Sequence, residues 1–334
     1  MIWHRFHTTI TRSLQALFCL LSIVNYAYAD PDLEPCASII HDTARLECYD
    51  HLLEARLKPA SAEPSDQLAE AYMDQTWELS PKSKRETFAF SAYRPNYLLP
   101  MRYTSRTNTS PQTPTHVNLT NTPLQPYEVR FQLSFKTKLK AHLFGSHANA
   151  WFAYTQQSNW QFYNSSQSAP FRETNYEPEF ILSIPTGVSL AGFDLPLINV
   201  GMVHQSNGNA GVYSRSWNRI YSEFKFTQGN FLMAIRPWVR LPEAANNNDN
   251  PDIRRFMGSG DLRLTWLGEE SDISALTRYS VRGRKGAIQI NASFPINGHL
   301  KGYAELFNGY GETLIDYNHY QSIIAVGVLL STWH

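Results

Sequence analysis

Asn199-Val200-Gly201-Met202-Val203-His204-Gln205-Ser206-Asn207-Gly208 is followed, five residues on, by Ser214-Arg215-Ser216-Trp217-Asn218-Arg219-Ile220-Tyr221-Ser222-Glu223-Phe224-Lys225-Phe226. Read with the two-residue period of a strand, Val200, Met202, His204 and Ser206 share one face of the first segment. Asn218, Ile220, Ser222, Phe224 and Phe226 share one face of the second. A turn centred near Gly211 sets His204 opposite Asn218 and Ser206 opposite Ser216. A hydroxyl, an imidazole and an amide able to orient it then meet on one surface of a hairpin, the grouping that nucleophilic acyl transfer uses.

The neighbours of these residues say what that surface faces. The reverse face of the second segment carries Arg219, Glu223 and Lys225, while the His204, Ser206 and Asn218 face continues into Met202, Ile220 and Phe224. In a soluble sandwich the apolar face would point to the core, whereas in a membrane β-barrel it points outward to lipid and the charged face lines the interior. The same sidedness recurs where Tyr127, Val129, Phe131, Leu133 and Phe135 alternate with Glu128, Arg130, Gln132, Ser134 and Lys136. It returns where Leu300, Ala304 and Leu306 alternate with Lys301, Tyr303 and Glu305. So much charge on one face of so many strands favours an all-β, antiparallel transmembrane barrel.

The N-terminus supplies a compartment. Arg5 and Arg12 precede the apolar run Leu14–Val24, and Ala27-Tyr28-Ala29 has the small-x-small pattern of a signal-peptidase site, so residues 1–29 read as a signal peptide and Asp30 as the mature start. No later apolar run reaches the roughly 18 residues of a spanning helix, so membrane residence would have to be as strands. Lys+Arg and Asp+Glu are 29 each, which gives no electrostatic case for a nucleic-acid partner. Cys19 leaves with the signal peptide; Cys36 and Cys48 remain as an even pair in an exported protein, which favours a disulfide over two free thiols.

Residues 30–57 read as a small helical segment, and residues 58–82, with Pro59, Pro64 and Pro81, as a linker, so that 30–82 forms a periplasmic N-terminal segment and 83–334 the barrel. About a dozen strands are expected, near 86–103, 127–140, 149–157, 175–184, 198–206, 216–226, 230–240, 258–267, 272–281, 286–294, 299–308 and 320–332. An even count of strands of about ten residues is what a single-chain bacterial barrel requires. With both barrel ends periplasmic, the longer loops 104–126, 158–174, 207–215, 241–257 and 309–319 would face outside, and the hairpin site would lie toward the outer leaflet.

Several long motifs occur in order: Tyr154-Thr155-Gln156; Ser168-Ala169-Pro170-Phe171-Arg172-Glu173-Thr174-Asn175-Tyr176-Glu177-Pro178; His204 to Gly208; Ser214 to Asn218; Asp249-Asn250-Pro251-Asp252-Ile253; and Gly309-Tyr310-Gly311-Glu312. With these the chain resembles the outer membrane phospholipase A family, calcium-dependent dimerising barrel enzymes, over most of residues 85–334. The resemblance implies hydrolysis of glycerophospholipid acyl esters, of A1/A2 and lysophospholipase type. It makes Ser206 the nucleophile, His204 the base and Asn218 the group that holds the imidazole. Gly208 N–H would serve the oxyanion. Ca2+ would be held by the Asn209 carbonyl, the Ser214 hydroxyl and, across a reversible homodimer, the Ser168 carbonyl. Gln156 would pair with its symmetry mate at the dimer interface.

Two departures stand out. Asn209 replaces a basic residue of the family pattern, which a main-chain ligand tolerates, and Gly211 replaces an acidic one, which weakens the case for a second calcium site; Asp249 alone would be a poor cage. Asp249 and Asp252 also read as ordinary turn and loop acids, and Gly309 to Glu312 as a structural turn whose tyrosine sits at the membrane interface. Two other functions compete. A catalytically silent barrel, a pore or structural protein, would need an open lumen and be indifferent to the hairpin residues. A soluble esterase sandwich would purify without detergent.

Overall fold

The computed structural model describes Cys36 and residues 39–57, 67–245, 248–297 and 300–330. The expected signal peptide and residues 58–66 of the expected linker lie outside the described residues. The chain divides into two compact units, residues 1–62 and 63–334. In the first, helix α1 (Asp42–Leu57) follows Cys36, which is bridged to Cys48 with the Cα atoms 5.6 Å apart.

The second unit is a closed antiparallel barrel. Its strands are β1 (Phe90–Ala92), β2 (Asn96–Thr104), β3 (Tyr127–Lys140), β4 (Asn149–Trp160), β5 (Phe171–Leu190), β6 (Phe193–Ser206), β7 (Ser216–Gln228), β8 (Phe231–Arg240), β9 (Gly260–Leu267), β10 (Asp272–Ser280), β11 (Lys285–Asn297), β12 (Leu300–Tyr310) and β13 (Tyr320–Leu330). The wall runs from β2 through each strand in order to β13, which pairs back onto β2, making 12 wall strands. The stretch expected as one strand over 86–103 is broken. Pro95 has no N–H to give the ladder, and around it the Asn96 side chain bonds the backbone of Ser134, accepting its N–H at 2.6 Å and donating to its carbonyl at 3.2 Å. The short β1 then resumes pairing with β3 at Phe135 to Thr137.

Alternation along the strands sorts the two faces. Leu133, Phe180, Met202, Ile220, Leu264 and Ile324 stand exposed on the outside, in a belt that a water-soluble protein would not leave bare. Inside, many charges are paired. Glu128 accepts from Arg102 Nη1 at 2.6 Å, Arg172 Nε at 2.6 Å and Gln161 Nε2 at 2.9 Å, and Arg130 reaches Glu305 at 2.6 Å and Glu312 at 2.8 Å. Glu312, at the end of the expected structural turn, is also part of the interior network. Desolvation opposes ionisation of Asp316, yet Arg172 at 2.7 Å and the Asn108 amide at 2.9 Å hold its carboxyl below the usual carboxylate range.

Both ends of the lumen are filled. Helix α2 (Leu68–Trp77) lies in the stretch expected to be linker, so the linker reading is corrected there. Its Ala69, Met73 and Trp77 recur at helical spacing and are buried against Trp151, Leu197, Leu232 and Leu267, an apolar stripe outweighing the prolines on either side. The Ala69 N–H bonds the carbonyl of Gly229 in the β7–β8 turn, which fixes α2 at that end. At the opposite end, loop 311–319 turns inward. Leu314 and Tyr317 join Trp217, Trp238, Phe256 and Met257 of the short helix α3 (Arg254–Met257) in a second core. Between the two lies a cavity of about 490 Å³ lined by such residues as Arg94, Arg236, Glu177 and Glu223.

Candidate active site

The β6–β7 hairpin pairs His204 with Asn218 and Ser206 with Ser216, the register expected from a turn near Gly211. Gln205, Trp217 and Arg219 point the other way and bond one another, Trp217 Nε1 and Arg219 Nη2 both donating to Gln205 Oε1 at 2.7 and 3.1 Å. This interior anchoring leaves His204, Ser206 and Asn218 on the outer face, beside Met202 and Ile220, which are 51% and 40% exposed.

His204 Nδ1 and Asn218 Oδ1 are 2.8 Å apart. The other end of the amide fixes who donates. Asn218 Nδ2 lies 3.1 Å from Glu243 Oε1, and a carboxylate can only accept, so Asn218 Oδ1 is the acceptor toward the ring and His204 Nδ1 carries the hydrogen. In the neutral imidazole, Nε2 is then the free base. Ser206 Oγ accepts the Gly208 N–H at 3.1 Å. Among the described residues no hydrogen bond joins His204 Nε2 to Ser206 Oγ, in contrast to the direct contact that the sequence leads one to expect. Resting sites commonly hold such contacts long until substrate arrives.

The loop after Ser206 is held by Asn207, whose side chain sequence reasoning left without a role. Its Oδ1 accepts the N–H of Arg215 at 2.9 Å and of Asn209 at 3.3 Å, and its Nδ2 donates to the Tyr213 carbonyl at 2.8 Å and to Glu173 Oε2 at 3.1 Å. Glu173 in turn accepts the Ile315 N–H at 3.1 Å, tying the hairpin loop to the inward loop 311–319. Gly208 has φ +67°, and a Cβ there would come within 3.1 Å of the Tyr176 ring, so the turn that aims its N–H at Ser206 suits glycine alone.

The expected oxygen ligands are partly gathered. Ser214 Oγ donates to Asp249 Oδ2 at 2.6 Å, so Asp249, which alone would be a poor cage, is drawn to the hairpin loop. Asn209 stands in the same loop as Ser214 and is exposed; Ser168 is exposed in the separate loop 161–170, in left-handed conformation at φ 60°. Hydroxyl, carboxylate and carbonyl oxygens are the donors a hard cation takes. Gln156 lies on the outer face of β4, accepting from Tyr154 OH at 3.1 Å and facing Ser158 Oγ at 3.4 Å. It is a polar group within the apolar belt.

The family model described as Phospholipase A1 matches residues 73–330. The chain belongs to the phospholipase A1 family. A Neisseria meningitidis relative, provisionally named a phospholipase A1, is 34% identical over 344 residues, 89% of this chain and 90% of its own. The structure of outer membrane phospholipase A from Escherichia coli superposes with a TM-score of 0.66 at 34% identity, covering 74% of this chain and 100% of that one. A Salmonella typhi outer membrane phospholipase, a dimer with bound calcium, gives a TM-score of 0.67 at 33% identity over 76% of this chain and 95% of its own. This phospholipase is therefore a barrel of the outer-membrane type.

Proposed function

We propose that this phospholipase cleaves acyl esters of glycerophospholipids, including lysophospholipids, that reach its outer wall laterally from the bilayer, with Ser206, His204 and Asn218 as the catalytic group. The observation that carries this is the 2.8 Å bond from His204 to Asn218 on the lipid-facing side of the hairpin, with Ser206 beside it. Ser206 Oγ attacks the ester carbonyl carbon while its proton passes to His204 Nε2. The oxygen that becomes negative would be met by the Gly208 N–H, which in the resting site donates to the neighbouring Ser206 Oγ and is released as that oxygen attacks. As the tetrahedral centre collapses, the ester C–O bond breaks and His204 returns the proton to the departing glycerol oxygen. Water, deprotonated by the same nitrogen, then releases the fatty acid from Ser206. A neutral amide behind the imidazole suits a site beside lipid, where an unpaired carboxylate is costly.

Calcium fits the oxygens of the hairpin loop, where Ser214 Oγ and Asp249 Oδ2 lie 2.6 Å apart. The Asn209 carbonyl, the Ser214 hydroxyl and the Ser168 carbonyl of a second copy would hold it, with Asp249 beside them. When bound it would add positive charge near the developing oxyanion. One subunit offers few of these ligands, so activity would need a reversible homodimer, with Gln156 on the contacting wall. The bound calcium and dimeric state of the Salmonella typhi relative support both points. We place the hairpin end toward the outer leaflet, since it carries the longer loops. There the enzyme would idle until phospholipid is misplaced into that leaflet. A passive pore is disfavoured by α2 and loop 311–319 filling the two ends of the lumen. The test is fatty-acid release from detergent-dispersed phospholipid by the full chain and by Ser206→Ala; release by the native chain alone supports the reading, and equal release by both overturns it.

A further inference from the structure

The amide of Asn218 can serve His204 in only one of its two orientations. With Oδ1 toward the ring, Nδ1 keeps its hydrogen and Nε2 is free to take a proton from Ser206. Rotated by half a turn, the amide would present Nδ2 to the ring, Nδ1 would have to accept, and the proton would move to Nε2, leaving no base. An aspartate has no such ambiguity, because both its oxygens accept. A chain that uses an amide beside lipid therefore needs something to choose its orientation.

That element follows β8 in the sequence. The Leu241 N–H bonds the Asn218 carbonyl at 2.8 Å, which carries the start of the 241–250 loop alongside β7. Two residues later Glu243 Oε1 accepts from Asn218 Nδ2 at 3.1 Å. The carboxylate is itself held: Arg240 Nη2 donates to Glu243 Oε2 at 2.5 Å and to Asn248 Oδ1 at 2.8 Å, and Arg240 Nη1 donates to the Asn250 carbonyl at 2.9 Å. Asn250 Oδ1 closes the ring by accepting the N–H of Ser216, the residue paired with Ser206. The Glu243 side chain is 12% exposed, so it is held out of bulk water by this frame.

We propose that Glu243 is a positioning residue for catalysis, locking the Asn218 amide so that His204 Nε2 stays unprotonated and able to act. The proposal rests on the Ser206, His204 and Asn218 reading above. A rotated amide would turn its carbonyl oxygen against the carboxylate, so Glu243 penalises the inactive orientation as well as bonding the active one. Its charge also favours the imidazolium that forms in the transition state. Arg240 neutralises part of that charge at close range, so orientation is the larger of the two contributions. The carboxylate missing next to the histidine thus reappears one hydrogen bond further away, where the loop and an arginine solvate it.

The experiment is a double-mutant cycle on kcat and KM, measured with the full chain in phospholipid–detergent micelles at saturating calcium, each variant's heat stability being recorded alongside. Glu243→Ala should lower kcat by about 10-fold with KM changed by less than about twofold, within the range found for groups coupled in one hydrogen-bond network. Glu243→Gln, which keeps an acceptor of the same shape without the charge, should retain more kcat than Glu243→Ala. In an Asn218→Ala background, Glu243→Ala should have almost no further effect, because the group it orients is gone. The proposal fails if Glu243→Ala leaves kcat unchanged while Asn218→Ala lowers it, or if its cost is the same in both backgrounds, as for a residue that only supports the loop. If Asn218→Ala itself leaves kcat unchanged, the triad reading falls and this proposal with it.

Discussion

The two faces of the barrel wall handle polar groups in opposite ways. Inside, Glu128 is fully buried and accepts from two arginines and a glutamine, and Arg130 bridges two glutamates. Outside, His204 hydrogen-bonds the neutral Asn218, and the outward residues that lead up to the site on its two strands, Met202 and Ile220, are apolar. Interior charge is tolerated where ions meet one another, as Glu128 and Arg130 do, since breaking a buried pair costs several kcal/mol. On the lipid side the same density of charge could not be solvated, so the site is neutral at its centre and its carboxylate is set back in the loop. What differs is the surroundings each face offers: the interior ties strand to strand through ion pairs, and the sparse exterior leaves the hydroxyl, imidazole and amide of the proposed site exposed.

That contrast can be broken in order of expected effect. His204→Ala should cost about 10⁶-fold in kcat, the scale seen when the base of such a triad is removed, with unchanged unfolding in denaturant. Chelation of calcium should lower turnover by about 100–1,000-fold, the cost of losing one oxyanion-stabilising element, and leave the barrel folded; full activity from a monomer in excess chelator would contradict it. Glu128→Leu reverses the pattern. It leaves Arg102 and Arg172 with one carboxylate partner fewer and should cost about 3 kcal/mol of stability in a denaturant titration, with kcat of the folded protein little changed. Gln156→Ala should have the smallest effect, weakening dimerisation by about 0.6 kcal/mol, the scale of a side-chain hydrogen bond lost between membrane segments, read by cross-linking across a dilution series.

The barrel was legible because its signal is repeated: the same two-sided alternation returns in β3, β6, β7 and β12, and the β6–β7 register followed from counting between His204 and Asn218. Helix α2 was not, because its three inward residues, Ala69, Met73 and Trp77, are spread over a short helix flanked by prolines, and their burial depends on a barrel that forms from distant sequence. Within the site, the hydroxyl, imidazole and amide lie on paired strands, where period and pairing predict position. Glu243 and the Asn207 clamp act from loops, and Glu173 of β5 reaches the clamp from another strand, as in the Asn207–Glu173 bond, and no periodicity announces such contacts. The ion pairs of Glu312 were not legible for the same reason, its partners Arg102 and Arg130 lying far earlier in the chain and meeting it only in the closed lumen.

The central claim is that a serine on the outer wall is the group that lipid acylates. The most direct measurement is to mix the full chain with a long-chain acyl ester in detergent, quench in acid during turnover, and locate the acyl mass by peptide mass spectrometry. The account predicts one acyl group on the peptide carrying Ser206, absent from Ser206→Ala and diminished in His204→Ala. An acyl group on any other residue, or full turnover by Ser206→Ala with no acylated peptide, would contradict it.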